Sequence, residues 1–305
     1  YDAVRSRKCM IREVLLTKRM PPWHADPAYG HFANDRSLTE AQTRSLLTWL
    51  NADAPRGEGP DPLAGAVAEP SREWKLGTPD LVIGMQEPHE IPAEGVLPYA
   101  VIKVPSGFTE DKWIRGIEVR SGNPKVVHHA LIFIEYPDDK KSREPHVGGG
   151  LGGYFAGFVP GAEPYFFPEN TGKFAPAGAT FIFQLHYVTT GKPEQDQTEM
   201  AFYFCKEPPA ERMETEAASE TMFQIPPGVH DHPVSAEDDF WAQAKLWGLS
   251  PHMHYRGSRF KYTAVQPDGS AEVLLSVPNY NFDWQTMYHF AEPRNFPRGT
   301  RLVCD

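Results

Sequence analysis

Apolar residues recur at helical spacing within residues 1–55. The first stripe predicts a helix that stops at Met20-Pro21-Pro22, because proline cannot continue a helix. A second stripe runs from Leu38 to Leu50. Ser37 with Glu40 three positions later matches a capping box, so Ser37 is predicted to cap the second helix. The residues of the first stripe are Val4, Ile11, Val14 and Leu15.

Beyond about Trp74 the pattern changes to that of β-strands. Between Thr180 and Val188, apolar side chains alternate with a second set, as they do on a half-buried strand. The stretch from Gly148 to Pro176, rich in glycine, proline and aromatic residues, is predicted to be a long loop. Other predicted strands are Val126–Tyr136, Ala201–Phe204, Trp247–Leu249, and a hairpin of Phe260–Val265 with Glu272–Val277.

Many short strands joined by turns favour a mainly β protein of two antiparallel, jelly-roll-like β-sandwich domains after a small helical segment. Residues from Arg56 to about Pro70 are rich in proline, glycine and glutamate, so the predicted division places the helical segment at 1–62 and a linker at 63–75. The N-terminal sandwich then covers 76–208, and the C-terminal sandwich covers 209–305.

Charge and composition narrow the possible functions. The 305-residue chain has 30 Lys and Arg against 40 Asp and Glu, a formal net charge of −10. An acidic protein is a poor partner for nucleic acid. No run of 18 apolar residues occurs, so no membrane span is expected. The three cysteines form an odd number, which fits no self-contained disulfide framework.

Histidines occupy positions where a strand should be apolar. His128 and His129 interrupt an apolar run, and His186 lies in Gln-Leu-His-Tyr. His252 and His254 stand two residues apart, and side chains two apart on a strand share one face. Adjacent strand residues face opposite sides, so His128 and His129 can share an ion only at a bulge or a strand end. Five such histidines predict metal sites, and imidazole suits Zn, Cu, Fe and Ni alike.

Two other metal enzymes use similar ligands. A cupin-type iron dioxygenase also has a His-x-His pair, but it requires a glutamate shortly afterwards. Residues 255–260 here contain no carboxylate. A zinc hydrolase is possible by ligand type, but no glutamate stands beside either cluster as a general base.

The order of the motifs resembles one family. His-His, then Gln-Leu-His-Tyr, then Pro-His-Met-His-Tyr-Arg-Gly, then Tyr-Asn-Phe-Asp-Trp-Gln at 280–285 is similar to the copper type II, ascorbate-dependent monooxygenases. This family includes peptidylglycine α-hydroxylating monooxygenase and dopamine β-monooxygenase, and the chain most resembles its bacterial branch. The resemblance covers roughly residues 76–305.

This resemblance implies two copper ions on two successive sandwiches. His128, His129 and His186 would hold the electron-donating copper. His252 and His254 would hold the oxygen-binding copper, where catalysis occurs. Members of the family complete the second site with a methionine after a strand that matches 299–304 here. That methionine has no counterpart in the sequence, which ends at Asp305, and the C-terminal domain is expected to be truncated.

The implied reaction is hydroxylation of an unactivated C–H bond. O2 is the oxidant, an external donor such as ascorbate or a cytochrome supplies electrons, and the substrate is a peptide or small molecule. Tyr255, Tyr280 and Gln285 are candidates for the substrate side. The periplasm or the outside of the cell is the expected compartment. A copper-binding or electron-transfer module without turnover remains the alternative.

The N-terminal segment carries a second resemblance. Arg-Met-Pro-Pro-Trp-His at 19–24 is similar to the C-terminal half of a cytochrome c-like module fused to bacterial members. Met20 would then be an axial ligand of haem c, which would feed electrons to the coppers. The required Cys-x-x-Cys-His does not occur in this sequence, so a helical cap is the alternative.

Overall fold

The computed structural model describes residues 1–60, 73–143, 152–159 and 163–305. It is mainly β, with antiparallel sheets and a few short helices near the N-terminus, which confirms the predicted fold class. The chain divides into a central unit, Arg72–His230, and a terminal unit that joins Tyr1–Ser71 to Asp231–Asp305. In this division the N-terminal segment groups with the C-terminal strands. Among the helices of the described residues, none is long and apolar enough to cross a membrane.

The central unit contains three sheets. One has five strands in the order β1-β10-β4-β7-β11, one has four in the order β3-β8-β5-β6, and β2 pairs with β9. The pairs are antiparallel except β7 with β11. The elements are β1 (Leu81–Gly84), β2 (His89–Ile91), β3 (Ala100–Pro105), β4 (Lys112–Arg120), β5 (Val127–Glu135), a 3-10 helix (Asp138–Arg143), β6 (Tyr154–Phe158), β7 (Thr171–Ala175), β8 (Thr180–Tyr187), β9 (Glu194–Asp196), β10 (Glu199–Phe204) and β11 (Glu211–Arg212).

The core of the central unit draws side chains from both larger sheets. Ile132 of β5 and Phe181 of β8 are fully buried, and so are Ile114 of β4 and Phe202 of β10. The rings of Phe181 and Phe202 lie 5.2 Å apart. Alternate residues of β8 are buried, which confirms the predicted period of two and leaves the other face of the strand half-buried.

The predicted loop from Gly148 to Pro176 is wrong in part, because β6 and β7 lie within it. Every residue of β7 is buried, so this strand shows no alternation of polar and apolar positions. β6 is recognisable only by its pairing with β5. Residues 148–151 and 160–162 of that stretch lie outside the described part of the chain.

A buried cation stands in β7. Lys173 is 7% exposed, and its Nζ donates to the backbone oxygen of Phe155 at 2.6 Å and to Thr215 Oγ1 at 2.9 Å. Burial lowers the pKa of Lys173 to about 7, partly opposed by the charge of Glu214. At neutral pH the folded protein therefore leaves this amine partly uncharged, whereas an unfolded chain would keep it fully charged.

The pH dependence of stability should reveal this lysine. Between pH 7 and 10 the unfolded chain keeps a proton that folded Lys173 has lost, so the free energy of unfolding should rise with pH. A rise above about 1.4 kcal/mol, the equivalent of one pKa unit, is expected. Denaturant unfolding of the wild type and Lys173→Met at several pH values measures it. Equal slopes in the two proteins would contradict the prediction.

The terminal unit carries two further sheets. Their strand orders are β12-β17-β14-β15 and β13-β16. In this unit the free thiol of Cys9 is exposed and that of Cys304 is buried, whereas the free thiol of Cys205 in the central unit is half-buried. The elements of the unit are α1 (Asp2–Arg5), α2 (Lys8–Leu16), α3 (Glu40–Asn51), β12 (Ala236–Asp239), β13 (Ala244–Leu249), β14 (Phe260–Val265), β15 (Ala271–Val277), β16 (Tyr288–Phe296) and β17 (Arg301–Cys304).

The cap of α3 is Thr39, and the prediction of Ser37 is wrong by two residues. Thr39 Oγ1 accepts from the backbone N of Gln42 at 3.2 Å, and Gln42 Oε1 accepts from the backbone N of Thr39 at 2.9 Å. Ser37 instead donates its backbone N to Asp35 Oδ1 in the preceding turn. Glutamine serves as well as glutamate in a capping box, so the sequence offered two overlapping solutions.

The segment from Trp23 to Asn34 packs on β16. Phe32 forms an antiparallel bridge with Phe290, and their rings stack at 5.2 Å. The ring of Trp23 lies 4.8 Å from that of Tyr288. Gly30 adopts φ +70°, and a Cβ there would lie 2.7 Å from the backbone oxygen of Leu274, so glycine is required.

Candidate metal centres

The first cluster is created by a β-bulge. In the pairing of β5 with β8, Val127 lies opposite Tyr187, and His129 lies opposite His186. The register shifts between them, so His128 is the extra residue. The bulge removes the usual alternation, which is the condition under which two adjacent histidines can face one point. His129 is buried, whereas His128 and His186 are half-buried.

The three side chains His128, His129 and His186, hereafter the triad, converge. Their ring centroids are 5.0–5.3 Å apart, and the Nδ1 atoms of His128 and His129 are 3.0 Å apart. One potential ligand atom from each residue lies within 4.8 Å of the other two. Among the described residues, this is the one group of three or more His, Cys, Asp or Glu side chains that meets this criterion.

The donor set fits a transition metal. Imidazole nitrogens bind such ions at about 2 Å, so two nitrogens on one ion can be up to about 4 Å apart. The observed separations are within about an ångström of that limit, a change that small ring rotations can make. Three neutral imidazoles with no carboxylate or thiolate suit copper or zinc better than calcium or magnesium.

Tyr99 covers one side of the triad. Its ring lies 5.0 Å from that of His186 and 5.7 Å from that of His129, and 43% of the residue is exposed. The prediction from sequence missed this residue. The signal was the register of the sheet: Ala100 pairs with Leu185, which places the preceding tyrosine beside His186. Partial burial raises the pKa of Tyr99, so its hydroxyl stays protonated at neutral pH.

A buried carboxylate fixes the strand ends behind the triad. Asp196 is 2% exposed and accepts from Tyr187 Oη at 2.9 Å and from Thr198 Oγ1 at 2.8 Å. It also accepts from the backbone N of Asn123, in the turn before β5, at 2.9 Å. This network joins β8 next to His186 with the turn that leads into the bulge. The sequence analysis missed it because no local pattern relates these positions.

The second cluster lies in a loop. His252 and His254 were predicted to share a strand face, but β13 ends at Leu249 and neither histidine is in a strand. That part of the prediction is wrong, because Pro251 has no backbone N–H to continue a ladder. The two rings still lie 5.3 Å apart, and both residues are exposed. The pair is therefore brought together by the loop and not by strand alternation.

Gln285 orients the His252 ring. Its Nε2 donates to the backbone oxygen of Phe282 at 3.4 Å, which turns Oε1 towards His252, and His252 Nδ1 lies 2.9 Å from that oxygen. A carbonyl oxygen can only accept, so Nδ1 carries the proton and Nε2 presents its lone pair. Metal-binding histidines usually have such a partner on the second nitrogen. Although the residue is largely exposed, desolvation of the ring lowers the pKa of His252, which favours the neutral form.

Tyr280 holds the backbone between the two histidines. Its hydroxyl accepts from the backbone N of Met253 at 3.0 Å and donates to the Met253 oxygen at 2.8 Å. Tyr262 Oη donates to Ser250 O at 2.9 Å and fixes the start of the same loop. Gln285 and Tyr280, predicted on the substrate side, thus contact the loop of the histidine pair directly. Tyr255 is 85% exposed and free to meet another molecule.

Met20, the candidate haem ligand, lies in the turn after α2 with 40% of its surface exposed. Its role in haem binding stays a prediction. Met253, between the paired histidines, packs against Gly257: a Cβ at Gly257 would lie 2.5 Å from Met253 Cβ. The same Cβ would lie 3.0 Å from the Met253 sulfur, so the side chain of Met253 lies against this glycine.

Loss of the Gln285 amide should weaken metal binding at the second cluster. Gln285→Leu keeps the size of the side chain but removes the acceptor for His252 Nδ1, so the ring can turn or change tautomer. Losing the partner of a ligating histidine typically costs about 10–100-fold in metal affinity. Competitive copper titration should show this loss at the second cluster alone. Equal weakening at the triad would point to a general defect instead.

No protein-family model matches the chain, and no curated protein matches it.

Proposed function

We propose that this chain is a copper-dependent monooxygenase that hydroxylates an unactivated C–H bond. The observation that carries the proposal is the bulge-made triad, whose ligand atoms lie within 4.8 Å of one another. The oriented pair of His252 and His254 supports a second copper site. The compartment proposed is the periplasm or the exterior of the cell.

Copper, when bound, would supply one-electron redox chemistry and a place for O2 to react. The overall balance is R–H + O2 + 2e⁻ + 2H⁺ → R–OH + H2O, with the two electrons supplied by ascorbate or, one at a time, by a cytochrome. His128, His129 and His186 would hold one ion in a half-buried site. His252 and His254 would hold the other in an exposed loop, where open coordination positions can face a substrate.

The protein contributes orientation and access. The Gln285 amide keeps the Nδ1 proton on His252 and leaves Nε2 for the metal. Tyr280 keeps the backbone of Met253, and with it both flanking histidines, in one conformation. Exposed Tyr255 lies one residue beyond the pair and is available to contact a peptide or small-molecule substrate.

An isotope experiment tests the proposal. Copper-loaded protein is incubated with ascorbate and ¹⁸O2 and, in turn, with a set of peptides, with phenolic amines and with small metabolites. One class should yield a product that carries a single ¹⁸O atom, and His252→Ala should abolish it. The absence of labelled product from all three classes, with both copper sites filled, would refute the monooxygenase.

One observation favours a copper-binding or electron-transfer module instead. Within the described ranges, the triad has three histidines, whereas the loop offers only the pair His252 and His254. A module of this kind would bind one copper tightly and exchange electrons without consuming O2. A copper content of one per chain, with reversible reduction by ascorbate and no oxygen uptake, would establish it.

A further inference from the structure

The two-stranded ladder of β13 and β16 positions the second cluster from both of its strands. Leu249, the last residue of β13, pairs with Tyr288, the first residue of β16. Three residues beyond Leu249 stands His252, and three residues before Tyr288 stands Gln285. The hydrogen bond between His252 and Gln285 therefore joins the two chain segments that leave the same end of this ladder.

The N-terminal segment covers the other edge of β16. The backbone N of Ala33 donates to the His289 oxygen at 2.8 Å, and the backbone N of Ala291 donates to the His31 oxygen at 2.9 Å. The backbones of His289 and Ala291, on either side of Phe290, thus bond to residues 31 and 33 and complete the bridge between Phe32 and Phe290. Residues 31–34 thus bind this edge through one bridge and the bonds beside it, although they lie more than 250 positions away in sequence.

Asn34 follows the bridge at Phe32, and its side chain makes two hydrogen bonds to the backbone around the start of β16. Its Nδ2 donates to the Met287 oxygen at 2.7 Å, and its Oδ1 accepts from the His289 backbone N at 3.0 Å. The amide thus replaces the backbone of the next paired residue and holds 287–289 in strand geometry. Gln285 stands two residues before Met287, so the clamp fixes the base of the segment that carries the His252 partner.

We propose that Asn34 is a positioning residue for the second metal cluster, acting through Gln285 on the His252 ring. The inference rests on the proposed function in that the ligand is copper. It assigns residues 31–34 to the construction of that cluster, a role independent of any haem at Met20. The aromatic contacts of Phe32 with Tyr288 and Phe290 hold the segment on β16, and the hydrogen bonds of Asn34 fix its position along the strand.

A double-mutant cycle tests the route of this effect. Asn34→Ala should weaken copper binding at the second cluster by about 10-fold, the lower end of the cost of losing a ligand's partner. In a Gln285→Leu background the same substitution should have little further effect, because the route is already broken. The triad is the internal reference, and its affinity should not change. Asn51→Ala is the matched control. It removes an exposed asparagine of α3 that accepts a hydrogen bond from Arg12 of α2, and it should leave the copper affinity of both sites unchanged.

A copper-free readout separates this inference from the proposed function. In ¹⁵N NMR spectra of the metal-free protein, Asn34→Ala should shift the His252 ring away from the Nδ1–H tautomer, and Asn51→Ala should not. Additive losses in the cycle, or an unchanged His252 tautomer, would overturn the role of Asn34. If wild-type protein binds no copper at the second cluster but the tautomer shift occurs, the copper assignment fails and the positioning role stands.

Discussion

Replacement of His129 by alanine should abolish tight copper binding at the triad. His129 is the buried member and has both other rings within 5.3 Å, so its loss leaves only two of the three candidate ligands. Removing a residue that only hydrogen-bonds to a metal ligand lowers metal affinity by up to about 100-fold, so removing the ligand itself should lower it by more. Competitive titration with a copper chelator of known affinity measures it.

His89→Ala is the matched control for this substitution. His89 is a half-buried histidine of the same unit whose ring stacks on Tyr187 at 5.1 Å without joining the triad. It should leave the copper affinity of the triad within a few-fold of the wild type. Equal losses in His89→Ala and His129→Ala would show that the measured copper is bound elsewhere or that folding has failed.

Replacement of Asp196 by alanine should be the most destabilising of these substitutions. It leaves Tyr187 Oη and Thr198 Oγ1 without their acceptor, and the Asn123 backbone N keeps only its hydrogen bond to Ser121 Oγ. Each buried group left unsatisfied costs about 1–3 kcal/mol, so two such groups should lower the free energy of unfolding of the central unit by at least about 2 kcal/mol. Thermal and denaturant unfolding, followed by near-ultraviolet circular dichroism, measure this loss.

Two variants sharpen the test at Asp196. Asp196→Asn keeps one carbonyl oxygen as an acceptor and should recover part of the lost stability. Asp138→Ala, which removes an exposed carboxylate of the same unit paired with Lys141, should unfold like the wild type. A wild-type transition in Asp196→Ala would show that the network does not support the strands around the triad.

The sequence predicted well those features that depend on local periodicity. The strand predicted at Val126–Tyr136 is β5 at Val127–Glu135, and that at Thr180–Val188 is β8 at Thr180–Tyr187. The strand geometry also required either a bulge or a strand end at His128 and His129, and the register shows a bulge there. Adjacent histidines in an apolar strand were therefore informative because they conflicted with the pattern around them.

Features that depend on distant partners could not be predicted in this way. Phe32 and Asn34 look like loop residues until β16 is placed beside them. The strand β7 has no alternation because both of its faces are covered. The pair His252 and His254 resembled a strand by spacing alone, but its geometry comes from Tyr280 and Gln285 in another segment. Pairing and tertiary contacts decide such features, and neither leaves a local period.

Copper stoichiometry with electron paramagnetic resonance tests the central claim most directly. Purified, copper-loaded wild type should contain two Cu(II) ions per chain with distinct signals. His186→Ala should remove one signal and His252→Ala the other. A single signal abolished by both substitutions, or stoichiometric zinc or iron that copper cannot replace, would contradict the assignment of five histidines to two copper centres.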